Sequence, residues 1–244
     1  MTGGAGGILR RTKSAAFCSL VLFCSCTPRP APAPGIAIVD VTIVDVRDGT
    51  LTPDATVLIT GERITAIGPA ESVRAPKRAR RIDGRGKFLI PGLWDMHARS
   101  DGDLTALYTM VSLGITGVRD IGSDPAKIDD ARRQIDARLV AGPRVFTGVE
   151  IPEHDARFVP PGRSFHSALD GMVSRGATPL QALQAATLNP VVFLGLRESL
   201  GVIERGRTAD VVMLDSNPLD DIRNTRRVSA VIARGLLVSE RTFP

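Results

Sequence analysis

Three histidines, His97, His154 and His166, are the only imidazoles in this chain of 244 residues. Imidazole and carboxylate are the donor types that hold zinc and similar divalent cations, and a bound metal can activate water for hydrolysis. His97 closes the run Phe88-Leu-Ile-Pro-Gly-Leu-Trp-Asp-Met-His97, and Arg99 follows two residues later. Residues two apart on a strand face the same way, so His97 and Arg99 are expected to share one space. Two histidines there would be half of a metal site. Arginine is a permanent cation with no lone pair for a metal, and it suits an anionic group beside His97 instead. His154 and Asp155 are adjacent, offering a second imidazole and a carboxylate that could serve as ligand or base. His166 reads as structural. All three cysteines, Cys18, Cys24 and Cys26, lie near the N-terminus, which leaves the rest without thiolate ligands or disulfides.

The elements that must carry these residues fall into two patterns. Ile36 to Val46 is rich in Ile and Val and predicts paired short strands, with a turn at Asp48-Gly49. Ala55–Thr60 and Ile64–Ile67 flank Gly61-Glu62-Arg63 as a hairpin, and Arg81-Ile82-Asp83 with the run to Ile90 completes a β portion. Beyond His97, helices and strands alternate. Leu104, Leu107, Tyr108 and Val111 have helical spacing before a Gly114 cap, and Ile115–Asp120 predicts a strand. Asp124-Pro125 opens a helix with Ile128, Ala131, Ile135 and Leu139 on one face, followed by a strand from Pro143 to Val149. Such alternation implies parallel strands. A short helix with Phe165, Leu169, Met172 and Val173 ends at Gly176. Thr178-Pro-Leu-Gln181 is a capping box opening another, which Asn189-Pro190 ends. Gly201–Asp215 and Val228–Gly235 return to β pattern.

The segment from Phe88 to His97 resembles the first barrel strand of the metal-dependent amidohydrolases, in their prolidase-like and imidazolonepropionase-like branch. Glu153–His166 resembles the loop after that family's eighth strand, with its Pro-Gly-x-Ser-x-His segment. Residues 178–190 resemble its last barrel helix. The resemblance implies an α/β fold in two parts: a composite β-sandwich from both chain ends and an incomplete TIM-type (β/α) barrel. The implied boundaries are 36–90 and 199–241 for the sandwich and 91–198 for the barrel. Strands four to seven have no counterpart between about Val149 and Glu153. The implied activity is hydrolysis of carbon–nitrogen bonds in non-peptide amides, cyclic amides or dipeptides, with zinc or another divalent metal as cofactor. His97 and Asp155 match the first and last family ligands, and His154 is a further candidate. Arg99 replaces the second histidine of the family's His-x-His, and the intervening ligands are missing. A non-catalytic remnant or interaction module is therefore the alternative, with self-association through the open barrel edge.

Residues 1–25 read as an export signal: Arg10, Arg11 and Lys13 precede the apolar run Ala15–Cys24. Leu22-Phe-Cys-Ser-Cys26 resembles a lipoprotein box with Cys26 as the lipidated residue, and residues 26–35 hold a proline-rich spacer. The expected location is the bacterial cell envelope or beyond. The formal charge is +5, and those three N-terminal basic residues supply more than half of it. No aromatic-studded basic patch accompanies the excess, so nucleic acid is not an expected partner.

Overall fold

The computed structural model describes residues 1–4, 35–148, 155, 157–160 and 164–241. The chain forms two units, Met1–Ala31 and Pro32–Pro244, and all the elements below belong to the second. Cys26 and the predicted export signal and spacer lie almost wholly outside the described residues, as does His154.

Eight strands make one mixed sheet. They are β1 (Ile36–Val44), β2 (Leu51–Thr60), β3 (Arg63–Pro69), β4 (Arg80–Asp83), β5 (Phe88–Pro91), β9 (Val211–Leu214), β10 (Val228–Ala233) and β11 (Leu236–Glu240). Their order is β11-β10-β9-β5-β1-β2-β3, with β4 also on β1. The two chain ends meet where β5 pairs antiparallel with β9, Leu89 opposite Met213. Ile38, Val57, Ile59, Ile64, Leu89, Met213 and Ile232 are all almost fully buried in one apolar cluster. The composite sandwich is thus one sheet shared by both ends of the sequence.

The paired short strands expected over Ile36–Val46 are one bent strand. Asp40 adopts φ +58°, a region that aspartate tolerates better than most residues, and the pairing with β2 shifts between Ile38 and Val41. Before the bend β1 runs parallel to β4, and after it to β5. Gly84 lets this happen, because a Cβ there would fall 2.5 Å from that of Val41.

The second sheet is parallel and three-stranded, in the order β6 (Leu93–Ala98), β7 (Ile115–Ile121), β8 (Arg144–Gly148). Helices α1 (Leu104–Ser112) and α2 (Pro125–Asp136) make its crossovers. Asp103 and Asp124 cap them through their side chains, and Gly114 at φ +90° ends the first turn sequence. Leu107 and Val111 on α1, with Ile128, Ala131 and Ile135 on α2, cover one face of the sheet. Leu139 was expected on that helical face, but α2 stops at Asp136, Arg138 turns to φ +58°, and Leu139 is exposed. On the other face Trp94 and Met96 pack with Phe158, Val191 and Leu200. Gly117 makes room for Trp94, since a Cβ there would lie 2.4 Å from the indole.

After the second sheet come α3 (Phe165–Ser174), α4 (Pro179–Ala185) and α5 (Leu188–Phe193). The capping box at Thr178 and Gln181 forms in both directions. Asn189-Pro190 does not end the helical segment, because the break comes at Thr187 and Pro190 sits in the first turn of α5, where no N–H is needed. Of the long β pattern expected over Gly201–Asp215, only Val211–Leu214 forms a strand. Neither sheet closes into a barrel among the described residues. Among them, too, no helix is long and apolar enough to cross a membrane.

Candidate functional site

The C-terminal end of β6 carries His97, and Arg99 follows just beyond it. On β6 the Asp95 carboxylate accepts the His97 backbone N–H at 2.9 Å, bracing the strand end where its pairing with β7 becomes irregular. Burial pushes the Asp95 carboxyl up, against the opposing pull of the His97 backbone N–H.

His97 is held by its ring. Nδ1 lies 3.1 Å from the carbonyl oxygen of Val159, which can only accept, so Nδ1 carries the proton of this bond. In the neutral ring Nε2 then presents a bare lone pair. That atom is buried and has no hydrogen-bond partner among the described residues. A carbonyl on one ring nitrogen and a lone pair on the other is how proteins orient an imidazole toward a metal. Arg99 behaves differently. β6 ends at Ala98, so the alternation that predicted a shared space stops one residue short. The Arg99 guanidinium stands over Gly122, where a Cβ would come within 3.2 Å of Nη2.

Asp155 lies in the loop that leads to Val159, within electrostatic reach of His97. Both of its oxygens are gripped by Arg157, with Nη2 at 2.6 Å and Nε at 2.9 and 3.1 Å, and this fork holds the carboxyl below its usual range. The Arg157 guanidinium also lies over the rings of Phe158 and Phe193, 5.3 and 6.0 Å from their centroids. The same Asp-x-Arg clasp recurs at Asp45 with Arg47, Asp83 with Arg85 and Asp221 with Arg223. It is a turn brace that this chain uses repeatedly, and at an exposed position it is worth little.

Two charged residues of β7 escaped the sequence reading. Arg119 is 4% exposed, with Nη1 3.5 Å from the Met96 carbonyl and its guanidinium 5.9 Å above the Phe193 ring. Burial lowers its pKa. Gly148 on β8 leaves the space it fills. Asp120, 2% exposed, accepts both the N–H and the hydroxyl of Ser100, at 2.7 and 2.6 Å, and so fixes the turn after β6. Every residue of β7 is buried, so an adjacent Arg-Asp pair inside an apolar strand was the signal available.

His166 sits elsewhere. Its Nε2 donates to the Leu113 carbonyl at 3.1 Å and Nδ1 meets the Thr225 hydroxyl at 3.0 Å, tying α3 to the end of α1 and to the 3-10 turn Ile222–Arg226. Burial pushes its pKa down, the Leu113 carbonyl pulls the other way, and the Arg226 charge adds to the lowering. It is a structural imidazole.

Among the described residues no three of His, Cys, Asp and Glu gather where a metal ion could be held. His97 has the orientation of a ligand, but even with Asp155 two donors do not make a four-coordinate centre. The described residues do not fit the divalent site that the resemblance implies.

Comparison with known proteins places the fold. The profile of the amidohydrolase family matches residues 162–238. Adenine deaminase of Paracoccus denitrificans is 34% identical over 113 residues, 46% of this chain and 18% of that protein. Imidazolonepropionase of Thermoplasma acidophilum is 41% identical over 64 residues, 25% of this chain and 16% of its own length. The chain thus spans less than a fifth of either relative in the matched region. The crystal structure of a Xaa-Pro dipeptidase with bound methionine superposes with a TM-score of 0.72 at 14% identity, covering 83% of this chain and 99% of that one. The chain thus has an amidohydrolase-superfamily fold, with homology over part of its length to imidazolonepropionase and a shared architecture with a Xaa-Pro dipeptidase.

Proposed function

We propose that the chain descends from metal-dependent hydrolases of carbon–nitrogen bonds, in amides, cyclic amides or dipeptides, and that its own residues do not complete the hydrolytic centre. One observation carries this reading. Among the described residues a single imidazole, at the strand end where the chemistry would occur, is oriented for a metal, and the residue two places on is a cation. Water activation needs a closed set of donors around the ion and a group to move the proton, and the described residues supply neither in full. Incubated with zinc or manganese, the full chain should show no hydrolysis of N-acyl amino acids, cyclic amides or dipeptides above the buffer rate. Turnover that disappears in His97→Ala would overturn the proposal.

The N-terminal reading belongs to the same proposal: residues 1–25 direct export and Cys26 carries a lipid. The support is compositional, a basic start followed by an apolar run and Ser25-Cys26. Expressed in a bacterium, the chain should fractionate with membranes, and Cys26→Ser should move it to the soluble fraction. An unchanged distribution would remove the lipid anchor from the reading.

A further inference from the structure

We propose that the basic segment Arg74–Arg81, with the cavity beside it on the outer face of the large sheet, docks onto the phosphate headgroups of an anionic membrane. Arg74, Lys77, Arg78, Arg80 and Arg81 are basic and exposed, and no acid lies among the eight residues. Elsewhere an aspartate clasps the arginine two places on, as at Asp45, Asp83, Asp155 and Asp221, whereas this run holds no such brace. Arg80 alone of the five has an ion pair among the described residues, with Glu240 at 2.6 Å. The fold fixes where the run lies. The Arg80 backbone N–H donates to the Gly35 carbonyl at 2.8 Å, and β4 starts parallel to β1 with Arg80 opposite Ile36. The basic run therefore adjoins the residue at which the proline-rich spacer joins the sheet. A basic cluster next to a membrane anchor is attracted by anionic headgroups and gives the anchor a second contact.

The cavity supplies a place for one headgroup. Thr56 and Arg81 are neighbours of the core residues Val57 and Ile82, so strand alternation puts them on the opposite face. The chain after β3 turns back over that face, with the Val73 N–H donating to the Pro69 carbonyl at 2.9 Å. Val73 covers Gly68, where a Cβ would meet its Cγ2 at 3.0 Å. Thr56 is left 1% exposed. The return leaves an open cavity of about 340 Å³ whose lining includes Val39, Asp40, Thr56, Val73, Arg74 and Arg81. Ligand pockets run from roughly 300 to 1,000 Å³, so this one suits a small group. Two guanidiniums against the one Asp40 carboxylate leave the lining positive, and guanidinium forks match phosphate oxygens. Val39 and Val73 offer apolar surface to the glycerol carbons. The inference adds a contact to the export and lipid reading above and does not need the lipid.

The test uses the full chain carrying Cys26→Ser, Arg10→Gln, Arg11→Gln and Lys13→Gln, which removes the lipid and the N-terminal charge. Its sedimentation with phosphatidylcholine vesicles is compared with that on vesicles of equal parts phosphatidylcholine and phosphatidylglycerol. Binding should be confined to the anionic vesicles and should fall as salt rises. Adding Arg74→Gln, Lys77→Gln, Arg78→Gln and Arg81→Gln should weaken it at least about tenfold. These side chains are exposed, so the unfolding midpoint should stay in place. Arg74→Gln with Arg81→Gln should cost more than Lys77→Gln with Arg78→Gln, because only the first pair lines the cavity. Equal affinity for anionic vesicles with and without the four substitutions, at matching midpoints, overturns the inference. Equal losses from the two pairs would overturn the cavity as the headgroup site. Saturable binding of inorganic phosphate by a chain that ignores both kinds of vesicle would overturn the membrane as the partner. The lipid reading is tested apart from this one, since high salt releases a chain held by charge and leaves one held by a lipid in place.

Discussion

A chain ended at residue 195 should lose its cooperative unfolding transition. The cut removes β9, β10 and β11, three of the eight strands of the large sheet. Val211, Val212, Met213, Leu214, Val228, Val231 and Ile232 are all buried there. At roughly 1.5–3 kcal/mol for each buried aliphatic side chain, their loss amounts to about 10–20 kcal/mol. A domain has only about 5–15 kcal/mol to lose. The cut also strips β5 of its antiparallel partner, leaving Leu89 and Ile90 beside an unpaired edge. Calorimetry of the shortened chain should show no cooperative endotherm. A transition at the parent midpoint would mean that the N-terminal strands and the parallel sheet stand alone.

Asp210→Ala should be the most destabilising single substitution at the seam between the two sheets. The side chain of Asp210 is 2% exposed and accepts from Arg144 Nε on β8 at 2.9 Å and from the Arg234 backbone N–H in the turn between β10 and β11. Its carbonyl accepts the Gly92 N–H between β5 and β6. One residue therefore joins both sheets. Removing a single partner from a buried ion pair typically costs about 3–5 kcal/mol, because the remaining charge is stranded. Asp210→Asn keeps an acceptor for Arg234 and should lose less. Urea midpoints should fall in the order parent, Asn, Ala at constant m value. A loss below about 1 kcal/mol for the alanine variant, the size expected of an exposed pair, would show that the seam does not depend on this carboxylate.

Local signals in the sequence reached their targets. The Asp124-Pro125 cap, the Thr178 capping box and Gly114 each act within a few residues, and each forms as the residue types predict. The pairing of β5 with β9 has no local code, and only the likeness to a known family anticipated the shared sheet. The bend at Asp40 was missed because two apolar runs around an aspartate read alike whether they are two strands or one. Leu139 continued a helical period past the point where the backbone had already turned. At the site, the identities of His97, Arg99 and Asp155 were legible, whereas their states were not. The proton on His97 Nδ1 is fixed by Val159, far along the chain, through a carbonyl that no side-chain pattern reveals. The clasp on Asp155 was visible as an Asp-x-Arg spacing that the sequence repeats.

Because β5 finds its partner in β9, the order in which the chain is synthesised matters. A ribosome adding about 5–20 residues per second needs roughly 6–25 s to travel from Ile90 to Val212. Throughout that interval β5 has no β9 to pair with, and its edge stays unmatched. Contacts this distant in sequence also form late even in a released chain. Until its last fifty or so residues are made, a nascent polypeptide of this design keeps an open edge and exposed apolar surface, the features that make incomplete chains prone to association.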